Sequence, residues 1–534
     1  MRRNSLTPAF FIFLSLAVFK ACQIRAGEVP RFHVCEIVFH GPQAGPKDTP
    51  ARQVRLAVTF LHEKSGKRIK VYGFWDGDGA GAAEGNCFVV RFCPTETGRW
   101  RIVRTESNKP ELRGKREGEL ITCVPSGHDG FWIAEGRWYR RTSGRRPYII
   151  GNTHYSFLSL QTASGLRPNG SPVEDILGNA KYYRKLRFSL FGDRYPDPKV
   201  KPFLDDYGRP TDAGRFSFRP NPTWFRKRVD PVVEAGFRVD LICDLILCGP
   251  DTFESRSALK GDPEPFLRYI AARYGSYPNV WFCLCNEWNI KSPSYSAEEI
   301  RRAGEILRRA LPYSNPISVH GSSGDWNMQL NGAWHDHVTI QAKIKRLDRA
   351  ADIARRNFRI GRRKPVVNDE NAYEGAGDRF SEADVIEGCF GTFMGGGYPT
   401  TGEKYGRKLG QYFWGCFDPR KHGASDNLRY LRDFIEKQIV FRKLKPLSLE
   451  HSPIRDAPSS SRLLAEKDRQ YVLGTNRYAE RIEIKLGAGA WRVLQIDLIG
   501  KKKKVLSEGV RGTFTFSTPD SRAVLTYFKR ISAR

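Results

Sequence analysis

Hydrophobic and polar positions divide the chain into three regions with different periodicity. Between residues 28 and 127, segments such as QVRLAVTFLH and CFVVRFCP alternate or run apolar, and Gly, Pro and Asp turns separate them. Short strands between such turns predict a small antiparallel β-sandwich over 28–127. A strand-like pattern returns near the end, in RQYVLGTNR, RIEIKLG and TFTFSTP. It predicts a second, smaller β module over 455–534.

Residues 131–445 show apolar strand-like runs that alternate with helical segments. One predicted helix begins with a capping box of Ser296 and Glu299, and two others end at Gly275 and Gly361. Eight strands joined by helical crossovers predict a (β/α)8 TIM barrel, in the α/β class. The alternative is an open doubly wound sheet, which normally has a Gly-rich phosphate loop where this chain has IIGNTHYS. The predicted strands are RRPYIIGNT, LRFSLFGD, GFRVDLICDL, NVWFCLCNE, NPISVHGS, DHVTIQAK, RKPVVNDE and GGGYPTTGE.

The fourth predicted strand, within VWFCLCNEWN, is apolar on both faces and leads directly to Glu287. A strand without alternation is covered on both faces, and a carboxylate where it emerges is costly unless it is paired or used. Glu370 ends the seventh predicted strand in the same way. Because barrel strands end at one face, the two side chains are predicted to face each other across its mouth. Such a pair is typical of glycoside hydrolysis, where a gap of about 5 Å predicts retention and a wider gap predicts inversion.

Three motifs carry a resemblance to a known family. VWFCLCNEWN, PVVNDENAYEG and GGGYPTTGEKYG resemble the bacterial apiosidase-like barrels of clan A, the retaining glycoside hydrolases. GFWDGDG and VRFCPTETGRWRI resemble the Ig-like β-sandwich that commonly precedes such barrels. The C-terminal region is similar to the small β domain, often labelled collagen-binding, that often follows them. The resemblance covers nearly the whole chain, although Thr401 stands where it implies His.

The resemblance also implies roles for individual residues. Glu287 matches the acid/base, Glu370 the nucleophile, and Asn286 the residue that binds the sugar hydroxyl beside the attacked carbon. Trp414 follows strand eight and is of the type that stacks on a sugar face. Glu374 is an alternative nucleophile or a residue that holds the loop. The remaining candidates for sugar binding could equally serve packing or ion pairing, and they are Tyr373, His154, His320, Asp193, Asp244 and Glu403.

The formal net charge of +30 leaves two interpretations open. Either the carbohydrate substrate is an anionic polysaccharide, or the charges, which are spread along the chain, serve solubility. Nucleic acid is not a predicted partner, and the GKKKKV segment is predicted to be a solvated hairpin turn. No CxxC pair or His/Cys cluster with zinc spacing occurs, so neither a metal nor a cofactor is predicted. Candidates for an anion-binding cleft are Arg194, Lys199, Lys201, Arg209, Lys404, Arg407, Arg420 and Lys421.

The N-terminus has a basic start, an apolar stretch and Ala26 at a suitable cleavage point, which predicts a signal peptide over 1–26. The protein is therefore expected to be secreted or periplasmic, and no later segment predicts a membrane span. In an oxidising compartment Cys35, Cys87, Cys93 and Cys123 could form disulfides. The cysteines of the third and fourth predicted strands are expected to be small buried side chains.

Two functions of other classes remain open from the sequence. The chain could be a catalytically inactive carbohydrate-binding scaffold, or it could bind acidic polymers through charge alone. Hydrolysis of a glycan would exclude the first. Binding that collapses in moderate salt without hydrolysis would favour the second.

Overall fold

The structure is a computed structural model of the 534-residue chain. It describes residues 28–155, 158, 171–191, 201–211, 218–249, 256–321, 332–360, 363–375, 380–403 and 422–531. The predicted signal peptide and the candidates Asp193 and Trp414 lie outside these residues. Within the described ranges, no helix is both long and apolar enough to cross a membrane.

A seven-stranded sheet forms the N-terminal region. Its elements are β1 (Glu28–Pro30), β2 (Cys35–Ala44), α1 (Pro50–Gln53), β3 (Leu56–His62), β4 (Arg68–Trp75), β5 (Gly85–Phe92), β6 (Gly98–Ser107) and β7 (Leu120–Val124). The strand order is β1-β7-β6-β3-β4-β5-β2, antiparallel except where β1 runs parallel to β7. Phe60 and Phe92 stack with ring centroids 3.9 Å apart in the core of this region.

The disulfide prediction is wrong for three of the four N-terminal cysteines. Cys87, Cys93 and Cys123 are free thiols, each buried in an apolar cluster. Burial raises the pKa of the Cys87 thiol to about 12 and that of Cys123 to about 11. These thiols therefore serve as small apolar side chains, as the cysteines of the barrel strands were predicted to do.

The middle region contains a ring of parallel strands preceded by a hairpin. Its strands are β8 (Trp132–Glu135), β9 (Trp138–Arg141), β10 (Gly151–Thr153), β11 (Lys185–Ser189), β12 (Phe203–Leu204), β13 (Pro210–Thr211), β14 (Ile242–Ile246), β15 (Val280–Cys283), β16 (Ile317–Ser318), β17 (Val338–Ile340), β18 (Val366–Asn368), β19 (Tyr373–Glu374), β20 (Tyr398–Pro399) and β21 (Gly402–Glu403). One parallel sheet has the order β10-β11-β14-β15-β16 and a second has the order β17-β18-β20. These strands coincide with the eight predicted from sequence.

Two backbone contacts nearly close the ring. A parallel bridge joins Gly151 on β10 to Thr400, which follows β20. On the other side, the Asp336 N–H donates to the Ile317 carbonyl of β16 at 2.9 Å. The ring strands are buried along their whole length, because side chains fill the interior and helices cover the outside.

Helices follow most of the ring strands. They are α2 (Pro172–Ala180), α3 (Pro222–Trp224), α4 (Asp230–Arg238), α5 (Glu264–Tyr274), α6 (Ala297–Ala310), α7 (Leu347–Ile360), α8 (Glu382–Met394) and α9 (Ala424–Gln438). The predicted capping box is present at α6, where the Glu299 N–H donates to Ser296 Oγ at 3.1 Å. The predicted end of α5 at Gly275 is also confirmed.

The C-terminal region consists of two facing sheets. Its strands are β22 (Lys445–Leu447), β23 (Ile454–Arg455), β24 (Arg462–Glu466), β25 (Gln470–Thr475), β26 (Ala479–Lys485), β27 (Ala490–Asp497), β28 (Lys502–Val510), β29 (Thr513–Thr518) and β30 (Val524–Ile531). The larger sheet has the order β22-β24-β25-β30-β27-β28, and the smaller has the order β23-β26-β29. Ile484 and Phe516 of the small sheet share one core with Leu473 and Trp491 of the large sheet. The strands begin ten residues before the predicted boundary, since β22 pairs with β24.

A buried network of three arginines and three carboxylates joins the N-terminal sheet to the barrel helices. Its members are Glu36, Asp76 and Arg91 on the N-terminal sheet, and Arg226, Asp230 and Arg273 on the barrel. Asp230 lies 2.7 Å from both Arg91 and Arg273. Burial alone would raise the pKa of Asp230, but Arg273 and Arg91 hold it well below its usual range. The charges balance within the network, which is the condition for burying them.

Candidate active site

The amide nitrogen of Gln341 holds two carboxylates together at the end of the ring strands. Gln341 Nε2 donates to Glu287 Oε1 at 2.8 Å and to Glu370 Oε2 at 2.9 Å. Since both oxygens bond to one nitrogen, they are separated by no more than about 5.7 Å, close to the spacing of about 5–5.5 Å in retaining glycosidases. Glu287 lies in the loop after β15, Gln341 directly follows β17, and Glu370 lies in the loop after β18.

The backbone at Glu287 is held in an unusual conformation. Its φ of 47° lies in the left-handed region, which is uncommon for a residue with a side chain. The buried Arg256 binds this turn, because its Nη1 donates to the Asn286 carbonyl at 2.6 Å and its Nη2 to the Glu287 carbonyl at 3.3 Å. Such strain persists where surrounding contacts enforce it, and it is concentrated at functional sites.

Glu370 lies deeper than Glu287, with its side chain 4% exposed against 12%. Tyr155 lies just after β10, and its hydroxyl group donates a hydrogen bond to Glu370 Oε1. Arg187 on β11 supports this tyrosine, because its Nη1 donates to Tyr155 Oη at 2.9 Å. The same guanidinium reaches Asn286, whose Oδ1 accepts from Arg187 Nη2 at 2.8 Å. The two carboxylates and Asn286 thus share one hydrogen-bonded network.

His320 follows β16 and completes this network. Its Nδ1 lies 2.7 Å from Asn286 Oδ1 and 3.8 Å from Glu370 Oε1. Burial, with a contribution from Arg187, lowers the pKa of His320 to about 3, so the ring is neutral near pH 7. Because Asn286 Oδ1 already accepts from Arg187, the Nδ1 of this neutral ring carries the proton and donates to it. His320 therefore fixes the orientation of the Asn286 amide.

We expect the buried histidines to make folding stability fall between pH 7 and pH 5. The pKa of His337, at the foot of β17, is also lowered to about 3 by burial, as is that of His320. The unfolded chain takes up protons below pH of about 6.5, whereas the native rings stay neutral, so stability is complete above that pH and is lost toward pH 3. Each histidine ring should lower the free energy of unfolding at pH 5 by about 2 kcal/mol relative to pH 7. Denaturant unfolding of wild type and His337→Leu at the two pH values measures this.

A matched variant keeps that test specific. His451 is exposed, so His451→Gln should show the same pH-dependent loss as wild type. His337→Leu should lose less stability on acidification than wild type by about 2 kcal/mol. An identical loss in all three proteins would contradict the assignment of this loss to buried neutral rings.

Two lysines border the carboxylate pair from the solvent side. Lys291 Nζ lies 3.3 Å from Glu287 Oε2, and Lys343 Nζ lies 3.5 Å from Glu370 Oε2. Their side chains are 39% and 37% exposed. Lys343 also lies over the ring of Tyr373, 4.9 Å from its centroid. Each catalytic candidate therefore has a solvent-accessible ammonium group beside it.

Asp244 does not lie where the sequence suggested. At the end of the third predicted strand it was a candidate either for sugar binding or for an ion pair, but it lies in the middle of β14 and is fully buried in the ring interior. Lys185 Nζ lies 3.2 Å from Asp244 Oδ2 and forms a second, closer pair with Asp369. Arg187 Nε lies 3.9 Å from Asp369. Asp244 thus compensates buried cations below the site, because an unpaired lysine there would be costly.

The other sequence candidates divide between the site and its frame. Both Glu374 oxygens accept backbone N–H groups at the start of α9, at 2.9 Å from Gly423 and 3.1 Å from Ala424, so this residue holds a loop and helix together. Tyr373 packs beside Tyr155. His154 is buried, and its Nε2 lies 3.1 Å from Asn152 Nδ2. Glu403 lies on β21, where its backbone pairs with that of Glu374 on β19.

Gln341, Tyr155 and Arg187 were not among the predicted site residues. Tyr155 follows the end of predicted strand one and Gln341 lies near the end of predicted strand six, so the rule that selected Glu287 and Glu370 could also have selected them. Arg187 carried a different signal, because Lys185 and Arg187 alternate with apolar residues on a strand that is covered on both faces. Charged residues at such positions indicate a polar ring interior. Among the described residues, no group of three or more His, Cys, Asp or Glu side chains is arranged to hold a metal ion.

Two regions of the chain match protein families. Residues 28–107 match a domain of unknown function, DUF5060. Residues 197–428 match the family described as Apiosidase-like, catalytic domain. The second match includes Glu287, Gln341 and Glu370, and it supports a glycoside hydrolase-like function for this region. No curated protein sequence matches the chain.

Solved structures with the same fold include several glycoside hydrolases. A Bacteroides vulgatus ATCC 8482 protein with an assumed glycoside hydrolase activity has a TM-score of 0.74 and 20% identity, covering 94% of this chain and 100% of its own. A protein named as a glycoside hydrolase has a TM-score of 0.58 and 13% identity, covering 76% of this chain and 98% of its own. A glycoside hydrolase family 5 protein from Bacteroides vulgatus ATCC 8482 has a TM-score of 0.56 and 13% identity, covering 75% and 93%. At these identities the likeness shows the fold alone.

Proposed function

We propose that this protein is a retaining glycosidase that cleaves O-glycosidic bonds of an oligo- or polysaccharide on a complete (β/α)8 barrel. The observation that carries the proposal is the single Gln341 nitrogen bound to both Glu287 and Glu370. It holds the two carboxylates at a spacing that suits direct attack and leaves too little room for an intervening nucleophilic water. The match of residues 197–428 to the apiosidase-like catalytic domain supports the same reaction class.

The surroundings of the two carboxylates suit different roles. Glu370 is the nucleophile, since Tyr155, Gln341 and Lys343 direct donors or positive charge at it and fix its position. It attacks the anomeric carbon as the bond to the leaving oxygen breaks. The more exposed Glu287 gives its proton to that oxygen. A glycosyl ester forms on Glu370, Glu287 then removes a proton from water, and attack by that water releases the sugar and Glu370.

Asn286 has the position to bind the sugar hydroxyl beside the attacked carbon. Its Oδ1 accepts from Arg187 and His320, so its amide NH₂ group is left to donate to the substrate. Tyr373 is fully buried and packs behind the site, so further sugar contacts are proposed only from the candidates Trp414 and Asp193, which lie outside the described residues. Glu374 is excluded from the catalytic pair in this proposal, because both its oxygens are used by the backbone of α9.

A glycan panel tests the proposed function. The purified protein is incubated with a broad set of oligo- and polysaccharides, and the products are separated and identified. The Glu287→Gln/Glu370→Gln protein is the matched control for contaminating activity. We expect at least one glycan to give products with wild type and none with the control. Equal product formation by both proteins, or none on any glycan, would favour the inactive carbohydrate-binding scaffold instead.

We further propose that the substrate is anionic, on the basis of Lys291 and Lys343. Both ammonium groups border the catalytic carboxylates. When substrate binds, each can form an ion pair with a substrate carboxylate or sulfate in place of its pair with Glu287 or Glu370. Of the charged loop residues suggested by the sequence, only Lys201 and Arg209 lie among the described residues, and Arg209 pairs with Asp205 at 2.8 Å. The lysines at the carboxylate pair are therefore the better basis for selecting charge.

We expect Lys291→Gln and Lys343→Gln each to raise KM for a uronate-containing substrate by about two- to fivefold. This change corresponds to the free energy that one exposed ion pair contributes. The same substrate with its carboxylates reduced to alcohols should show no such change. Lys345→Gln, an exposed lysine on the same loop as Lys343, is the matched control. A wild-type preference for the reduced substrate would remove the anionic assignment and leave the glycosidase assignment intact.

Export is also proposed, because residues 1–26 have the composition of a signal peptide. Expression of the full chain in a bacterial host, followed by N-terminal sequencing of the extracytoplasmic protein, should find a mature chain that begins after Ala26. An uncleaved chain in the cytoplasm would contradict export.

A further inference from the structure

A second groove lies in the C-terminal module, at the edge of its larger sheet. It has a volume of about 780 Å³ and is bordered by residues of β22, the β24–β25 turn and the end of β26. Leu447, Tyr471 and Leu486 contribute apolar lining, together with Pro446 and Pro453. The Tyr471 ring is fixed from behind, since it stacks on Trp491 with centroids 5.6 Å apart. The groove therefore has a rigid apolar side.

Four lysines line the same groove. Each is exposed, and in the part of the chain that the structure describes none of them has a carboxylate partner. Two acidic residues, Glu466 and Asp468, also line it, so lysines outnumber carboxylates in the lining. Positive charge thus exceeds negative charge. The lysines are Lys443, Lys445, Lys467 and Lys485.

We propose that this groove binds an acidic polysaccharide chain, which would tether the catalytic barrel to its polymer. The apolar side suits the faces of sugar rings, and separate ammonium groups suit carboxylates that repeat along a chain. The lysines alone would also attract phosphate, so the apolar lining by Leu447, Tyr471 and Leu486 is what favours a polyuronate, and duplex DNA is one arm of the test below. This binding function stands independently of the proposed hydrolysis.

Three of the groove lysines and three lysines of β28 allow a charge-matched test. One variant carries Lys445→Gln, Lys467→Gln and Lys485→Gln in the groove. The control carries Lys502→Gln, Lys503→Gln and Lys504→Gln on β28, the opposite edge strand, where these side chains are exposed. Both lose the same net charge. Binding of the full chain to immobilised sodium polygalacturonate is measured by biolayer interferometry, and thermal unfolding checks that both variants are folded.

We expect the groove variant to bind polygalacturonate at least about fivefold more weakly than wild type, and the β28 variant to change by less than about twofold. Wild-type binding should weaken with salt and should be lost on carboxyl-reduced polygalacturonate. Equal weakening of both variants would overturn the proposal in favour of diffuse charge. Unchanged binding in the groove variant, or duplex DNA binding as strongly as polygalacturonate, would overturn it as well. Wild type and both lysine variants are compared with Glu287→Gln and Glu370→Gln also present in each, so none of these outcomes depends on hydrolysis.

Discussion

Replacing either carboxylate of the Gln341-bridged pair is expected to abolish most activity while leaving the fold intact. Glu287→Gln removes the proton donor to the leaving oxygen and should lower kcat by about 10²–10⁴ on a substrate with a poor leaving group. Glu370→Gln removes the attacking oxygen, and its loss should be at least as large. Steady-state rates on the best substrate of the glycan panel measure both effects.

Glu374→Gln is the matched control for this prediction. It lies four residues from Glu370, but its carboxylate receives backbone N–H groups of Gly423 and Ala424. The variant should keep most of its kcat and lose stability by about 1 kcal/mol, since a helix-start contact is weakened. If Glu374→Gln were inactive and Glu370→Gln active, the nucleophile assignment would be wrong.

The second large effect is expected at the buried network between the N-terminal sheet and the barrel. Asp230 contacts Arg91 and Arg273, whose side chains have no exposure to solvent. Asp230→Asn would leave buried positive charge uncompensated, and such losses reach about 3–5 kcal/mol in the free energy of unfolding. Denaturant and thermal unfolding measure the change, and limited proteolysis reports whether the N-terminal sheet detaches first.

Asp262→Asn is the corresponding control. This aspartate also pairs with an arginine of the N-terminal region, Arg52, at 3.2 Å, but the two side chains are 50% and 31% exposed. Its replacement should change stability by no more than about 1 kcal/mol. Similar losses for Asp230→Asn and Asp262→Asn would show that burial of the network does not matter.

Acid should weaken the same network. Arg273 and Arg91 hold the pKa of Asp230 well below its usual range. The contribution of Asp230 to folding stability is therefore complete above the pKa of an aspartate in the unfolded chain, about 4, and it falls at lower pH. The buried histidines act at higher pH, between about 6.5 and 3.

Much of this organisation could be predicted from the sequence because strands covered on both faces have a distinctive pattern. All eight ring strands coincide with apolar runs, and Glu287 and Glu370 follow two of them. Contacts between distant segments could not be predicted in this way. The Asp230 network joins residues far apart in the chain, such as Arg91, whose pairing depends on how two regions pack.

Two errors have physical causes. Asp244 was a candidate for sugar binding because it stands near the end of an apolar run, but it lies inside the ring, where it pairs with Lys185. The N-terminal cysteines were considered for disulfides because of the expected compartment, whereas Cys93 and Cys123 are simply apolar core residues. In both cases the deciding factor was a tertiary neighbour.

The stereochemistry of hydrolysis tests the central claim most directly. Proton NMR, recorded during the first turnovers on a substrate of known anomeric configuration, identifies the anomer that forms before mutarotation. A carboxylate pair separated by no more than about 5.7 Å predicts that the first product retains the substrate's configuration, through a glycosyl ester on Glu370. An inverted first product would mean that water attacks directly, and it would contradict the account.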